Sequence, residues 1–121
     1  METCLKTCLI LVIGCDLEPW RVMAETSQQT WDSVDVKGTE TIYYFGRPVK
    51  DNTDKAIYFD IEEDYYSMFE KMLCAFEWAL QNKEFDFVAR VNSSCYCDKK
   101  KLIEYVQTLP DENVLAGGFV N

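Results

Sequence analysis

The chain has 121 residues, of which 48% are apolar, so it reads as one domain (residues 1–121) with an ordinary core and no broad disorder. Twelve Lys and Arg stand against 21 Asp and Glu, a net charge of −9, and a surface so acidic argues against nucleic acid, whose phosphates need clustered cations. There is no histidine, which excludes Ser-His-Asp and Cys-His catalysis and any His-ligated metal.

In chain order, residues 7–15 form a near-continuous apolar run ending at Gly14, the pattern of a strand buried on both faces. Asp16 to Pro19 supplies a turn, and the thinner apolar pattern from Trp20 to Trp31 predicts an exposed amphipathic helix. Residues 32–38 read as a polar loop. Residues 39–46 and 56–61 read as two further strands, joined by a turn-rich connection around Pro48. The strongest helix signal follows: Tyr65, Met68, Phe69, Met72, Phe76 and Ala79 recur at helical spacing, with Leu73, Trp78 and Leu80 widening the stripe. That stripe predicts Phe76 and Met72 in the core.

Residues 85–91 predict a buried, central strand, broken by Asn92-Ser93-Ser94, three short polar side chains that favour a turn. Asp98 is placed to cap a helix over 99–109, which Pro110 stops, and residues 113–120 begin another strand. The order β-α-β-β-α-β-α-β predicts an α/β fold: three layers, a mostly parallel sheet with helices on both faces. Right-handed crossovers set 7–15 beside 85–91 at the switch point of strand order. Gly14, Cys15 and Asp16 would then share one crevice with Asn92, Ser93 and Ser94, where ligands bind in open α/β sheets.

The six cysteines lie in apolar stretches and read as buried reduced thiols; a metal site from Cys4, Cys8, Cys95 and Cys97 is the alternative, though their spacing is not a usual zinc pattern. The apolar run at 8–12 is too short to span a membrane, which favours the cytoplasm.

Phe85-Asp-Phe-Val-Ala-Arg-Val-Asn-Ser-Ser-Cys-Tyr-Cys-Asp98 resembles the strand-and-turn motif of the beta-1,3-galactosyltransferase and fringe-like glycosyltransferases, usually Tyr-Asp-x-x-x-Lys-Thr-Asp-Asp-Asp-Val-Tyr-Val-Asn. Asn92, Ser93 and Ser94 stand where that family has its metal-binding aspartate triplet. Thr30-Trp31 resembles the end of a family helix, with Gln28 in place of Arg. Glu63-x-Tyr65 and Lys71 resemble the segment Asp-Ser-Tyr-x-Asn-Leu-Thr-x-Lys. The resemblance implies the Rossmann-like front half of a GT-A glycosyltransferase, with Lys71 among its binding residues. It implies a UDP-sugar as ligand, Mn²⁺ as metal, and transfer of a hexose to an acceptor hydroxyl with inversion. The acceptor half would come from a missing C-terminal part or a partner chain. With the triplet gone, Asp16 and Asp98 are the nearest carboxylates for a metal, and Lys99 to Lys101 offer a metal-free way to meet diphosphate charge. A non-catalytic, degenerate binding or assembly module is the alternative. A flavodoxin-like domain is a weaker one, since no Gly-rich phosphate loop follows the first strand.

Overall fold

The computed structural model describes residues 6–15, 21–92 and 96–109. Its elements are β1 (Cys8–Ile13), α1 (Arg21–Gln29), a 3-10 turn at Trp31–Ser33, β2 (Thr39–Phe45), β3 (Ala56–Tyr58), a 3-10 turn at Tyr65–Ser67, α2 (Met68–Asn82), β4 (Phe87–Asn92) and α3 (Lys99–Gln107). The expected final strand at 113–120 lies outside the described residues, as does Pro110.

The four strands form one sheet in the order β3-β2-β1-β4, and every pairing is parallel. β1 is the central strand. All six of its residues are buried, because helices cover both of its faces. Alternation sends Cys8, Ile10 and Val12 to one face and Leu9, Leu11 and Ile13 to the other. On the first face they meet Ala24 of α1, Trp31, and Ile103 and Val106 of α3. On the second they meet Ala75 and Ala79 of α2. The fold is thus an α/β sheet with helices on both faces, consistent with a Rossmann-like arrangement. α1 carries the chain from β1 to β2 over one face, and α2 carries it back from β3 to β4 over the other. Opposite faces and opposite directions give both crossovers the same hand, the right-handed one in nearly all proteins.

Two expectations need correction. The 85–91 stretch is beside β1, as expected, but it is not central: no described strand lies on its other side. Its burial alternates, with Phe87, Ala89 and Val91 packed on the α1/α3 face and Val88, Arg90 and Asn92 exposed. The residues of α2 buried most deeply are Lys71, Ala75 and Ala79, not its large apolar ones. Small side chains let the helix axis approach the sheet, so bulk is displaced to its flanks. Phe76 is half-buried against that cluster, Met72 is half-buried, and Phe69, Leu73 and Leu80 are exposed. No helix among the described residues is long and apolar enough to cross a membrane.

Candidate functional site at the carboxyl edge of β1 and β4

β1 and β4 run in register, Ile13 opposite Asn92, so the residues after them emerge at one edge of the sheet. Gly14 and Cys15 follow β1 there, and Asn92 closes β4. Asp16, Ser93 and Ser94 lie outside the described residues.

The edge is anchored by a buried ion pair. Lys71, in the first turn and a half of α2, reaches down to β1, and its Nζ donates to the carbonyl of Gly14 at 2.9 Å. The same Nζ pairs with Glu63 Oε1 from the loop after β3, and both side chains are almost wholly enclosed, 5% and 2% exposed. The ring of Tyr44 lies 6.0 Å from the ammonium and adds a cation–π contact. Gly14 N in turn donates to Tyr44 O at 2.9 Å, so the ends of β1 and β2 are locked together behind the edge.

Two glycines make this geometry possible. A Cβ on Gly14 would collide with the ring of Phe45, which stacks on Tyr58 at 5.1 Å. A Cβ on Gly46 would collide with the backbone carbonyl of Ile61 and come within 2.6 Å of Glu63 Oε1. The second collision is the harder to relieve, because Ile61 O is held by the amide of Arg47 at 2.8 Å. Gly46→Ala is therefore expected to lose about 1–3 kcal/mol in urea unfolding, the usual range for overpacking. A loss within about 0.5 kcal/mol would show that the 61–63 loop shifts freely and that the ion pair is not fixed by it.

Lys71 is thus at the predicted edge, where its charge is met by Glu63 and its ammonium holds the Gly14 carbonyl at the end of β1. Glu63 escaped the sequence-based assignment. The spacing of Glu63 and Lys71 around a helix start was the available signal, but it does not reveal that both are buried. Asp98 caps α3, its Oδ1 accepting from Lys101 N at 3.1 Å, so one of its oxygens is engaged.

The idea that Lys99 to Lys101 meet diphosphate charge is corrected for Lys99. Its Nζ lies 2.7 Å from Asp32 Oδ1 and donates to the carbonyls of Asp32 at 3.2 Å and Val34 at 2.8 Å, with Trp31 5.9 Å from its charge. Lys100 and Lys101 remain exposed. Burial alone would raise the Asp32 carboxyl, but the Lys99 ammonium beside it and the hydrogen bond from Tyr43 outweigh that and hold it below the usual range.

The cysteines behave as buried or half-buried thiols. Cys8, Cys15, Cys74 and Cys97 are in no disulfide among the described residues, and burial, with Cys97 nearby, pushes the Cys8 thiol up to about 11. Cys4 and Cys95 lie outside the described residues, within which no three His, Cys, Asp or Glu side chains are grouped to hold a metal. A cavity of about 530 Å³ opens away from the β1–β4 edge, beside the starts of β2 and β3, and is lined by Asp35, Lys37, Glu40, Asp54 and Lys55. It sits where a helix would cover β2 and β3 if their connection contained one.

Comparison with family models, with curated proteins and with solved structures gives no match for this chain.

Proposed function

We propose that this chain is a nucleotide-sugar-binding domain of the glycosyltransferase-like kind, with a UDP-sugar as its ligand. One observation carries the reading. β1 and β4 are parallel neighbours at the switch point of strand order, so Gly14, Cys15 and Asn92 meet at a single carboxyl edge. Resemblance of the 85–98 stretch to the galactosyltransferase and fringe-like motif names the ligand class, and Lys71, from a second resembling segment, anchors the same edge.

The donor set does not fit Mn²⁺ well. Asn92, Ser93 and Ser94 are neutral, and hard divalent cations need carboxylates to offset their dehydration. A ligand here would instead be met by the Cys15 backbone and the Asn92 amide, since the N–H and C=O of Gly14 are engaged by Tyr44 and Lys71. Hexose transfer with inversion stays part of the proposal for a longer assembly that supplies an acceptor half. The non-catalytic module is favoured by a separate fact: Lys71 and Lys99, the cations that would otherwise serve a diphosphate, are both consumed by internal ion pairs.

Calorimetric titration with UDP-hexoses, with and without Mn²⁺, tests the reading. The expected result is binding that changes little on adding metal. In the double variant Asn92→Asp, Ser94→Asp, a Mn²⁺ dependence should appear, since each new carboxylate offers a charge-assisted contact. Metal-dependent binding by the parent would overturn the ligand assignment at this turn. If neither protein binds any nucleotide, the assembly module stands instead.

A further inference from the structure

We infer that Arg90 is the group that meets the diphosphate charge of the nucleotide at the β1–β4 edge. The inference rests on the nucleotide reading of that edge.

Alternation along β4 puts Arg90 on the same exposed face as Asn92, the residue that closes the strand. Arg90 stands opposite Leu11 of β1. On the other side of β1, Tyr44 stands opposite Ile13, one pleat nearer the edge. Tyr44 belongs to the α2 face, in the same cluster as Leu11 and Ile13. Burial raises its hydroxyl, and the Arg90 side chain beside it opposes that push. The two side chains therefore meet across β1, which draws the arginine from the level of Leu11 toward that of Ile13. The tyrosine ring is itself at the edge. It lies 6.0 Å from the Lys71 ammonium, which holds the Gly14 carbonyl at 2.9 Å.

Charge then sets Arg90 apart from the lysines. Lys71 is met by Glu63 and Lys99 by Asp32, whereas no carboxylate among the described residues pairs with Arg90. Its neighbour at the edge is a neutral phenol, so the guanidinium keeps its charge, and the residue is exposed. The Tyr44 hydroxyl, fully enclosed, makes no hydrogen bond of ordinary length, which is costly for a buried oxygen. A guanidinium fixed on a phosphate by two of its N–H groups has others to give that oxygen. The planar fork suits two phosphate oxygens at once, and it needs no carboxylate from Asn92, Ser93 or Ser94.

Calorimetric titration with UDP and with uridine, both in EDTA, tests the inference. The parent should bind UDP more tightly than uridine, and more weakly as salt rises. Arg90→Met should lose about 10–100-fold in UDP affinity, the worth of a charge-assisted contact, and change uridine affinity by less than about twofold. Its UDP affinity should hardly respond to salt. Arg90→Lys should fall between the two, keeping the charge without the fork. Because Arg90 is exposed, both variants should unfold at the urea midpoint of the parent, so the loss is one of binding. If Arg90→Met binds UDP as tightly as the parent, or loses uridine to the same extent, this inference is overturned and the nucleotide reading stands without it. If the parent binds no UDP in EDTA, the reading fails at this edge and the inference fails with it.

Discussion

Lys71→Met is expected to cost about 3–5 kcal/mol in urea unfolding, because it leaves the Glu63 carboxylate enclosed with no cation to meet it. Methionine fills the volume of the lysine stem, so the loss reports charge and hydrogen bonding rather than a cavity. Three contacts go at once: the pair with Glu63, the bond to Gly14 O and the contact with the Tyr44 ring. Glu63 Oε2, already buried without a hydrogen-bond partner, makes the remaining carboxylate harder still to accommodate. A second variant separates the cost of the orphaned charge from the worth of the pair. In Glu63→Leu, Lys71→Met both charges are gone, and the loss should fall below about 2 kcal/mol, since apolar replacements of a buried pair are often close to neutral. If the single variant costs less than about 1 kcal/mol, the pair is solvated and does not hold the end of β1.

Much of this fold can be read from the amino-acid sequence, for a physical reason that also marks where reading stops. Residues 8–13 and the second half of 39–45 are buried on both faces, so their apolar runs are unbroken and identify them as inner strands. Asp98 at the head of α3 is a local signal, and the side chain caps as expected. The contacts that bury the two lysines are not local. Lys99 meets Asp32 across 67 positions. Lys71, though only eight positions from its partner Glu63, is drawn under the sheet edge by Gly14 across 57, so the sequence neighbourhoods of the two lysines do not show that they are enclosed. Asp32 sits in a stretch that reads as polar loop, yet its carboxylate is 1% exposed. The α2 stripe misleads for a different reason. Helical periodicity weights bulk, whereas the line against the sheet is Lys71, Ala75 and Ala79, chosen for close approach. The candidate edge is therefore legible as a place, through Gly14 and Asn92, while the groups that hold it are not.

Asp32→Asn should destabilise by a similar amount, about 3–5 kcal/mol at neutral pH, by leaving Lys99 cationic and enclosed. Tyr43 OH donates to Asp32 Oδ2 at 2.9 Å and can still donate to an amide oxygen, so the change falls mainly on the lysine. Lys55, 3.8 Å from the same oxygen but largely exposed, adds little. The pH dependence follows from the sign of the Asp32 shift. Its carboxyl is held below the ordinary value in the folded chain, while the unfolded chain titrates near about 3.9. Below that point the unfolded state takes up the proton first, so the stabilisation present above about pH 4 is lost as pH falls through the folded value. Tyr43 acts at the other end: burial, then its bond to Asp32, raises its hydroxyl, so its contribution is lost as pH rises beyond the unfolded value near about 10. Urea unfolding from pH 3 to 7 should therefore show a steeper acid limb in the parent than in Asp32→Asn. Equal acid limbs, with unfolding free energies within about 1 kcal/mol of each other at pH 7, would mean that Asp32 and Lys99 are held apart by water and that the 31–38 segment is fastened to the sheet by its apolar contacts alone.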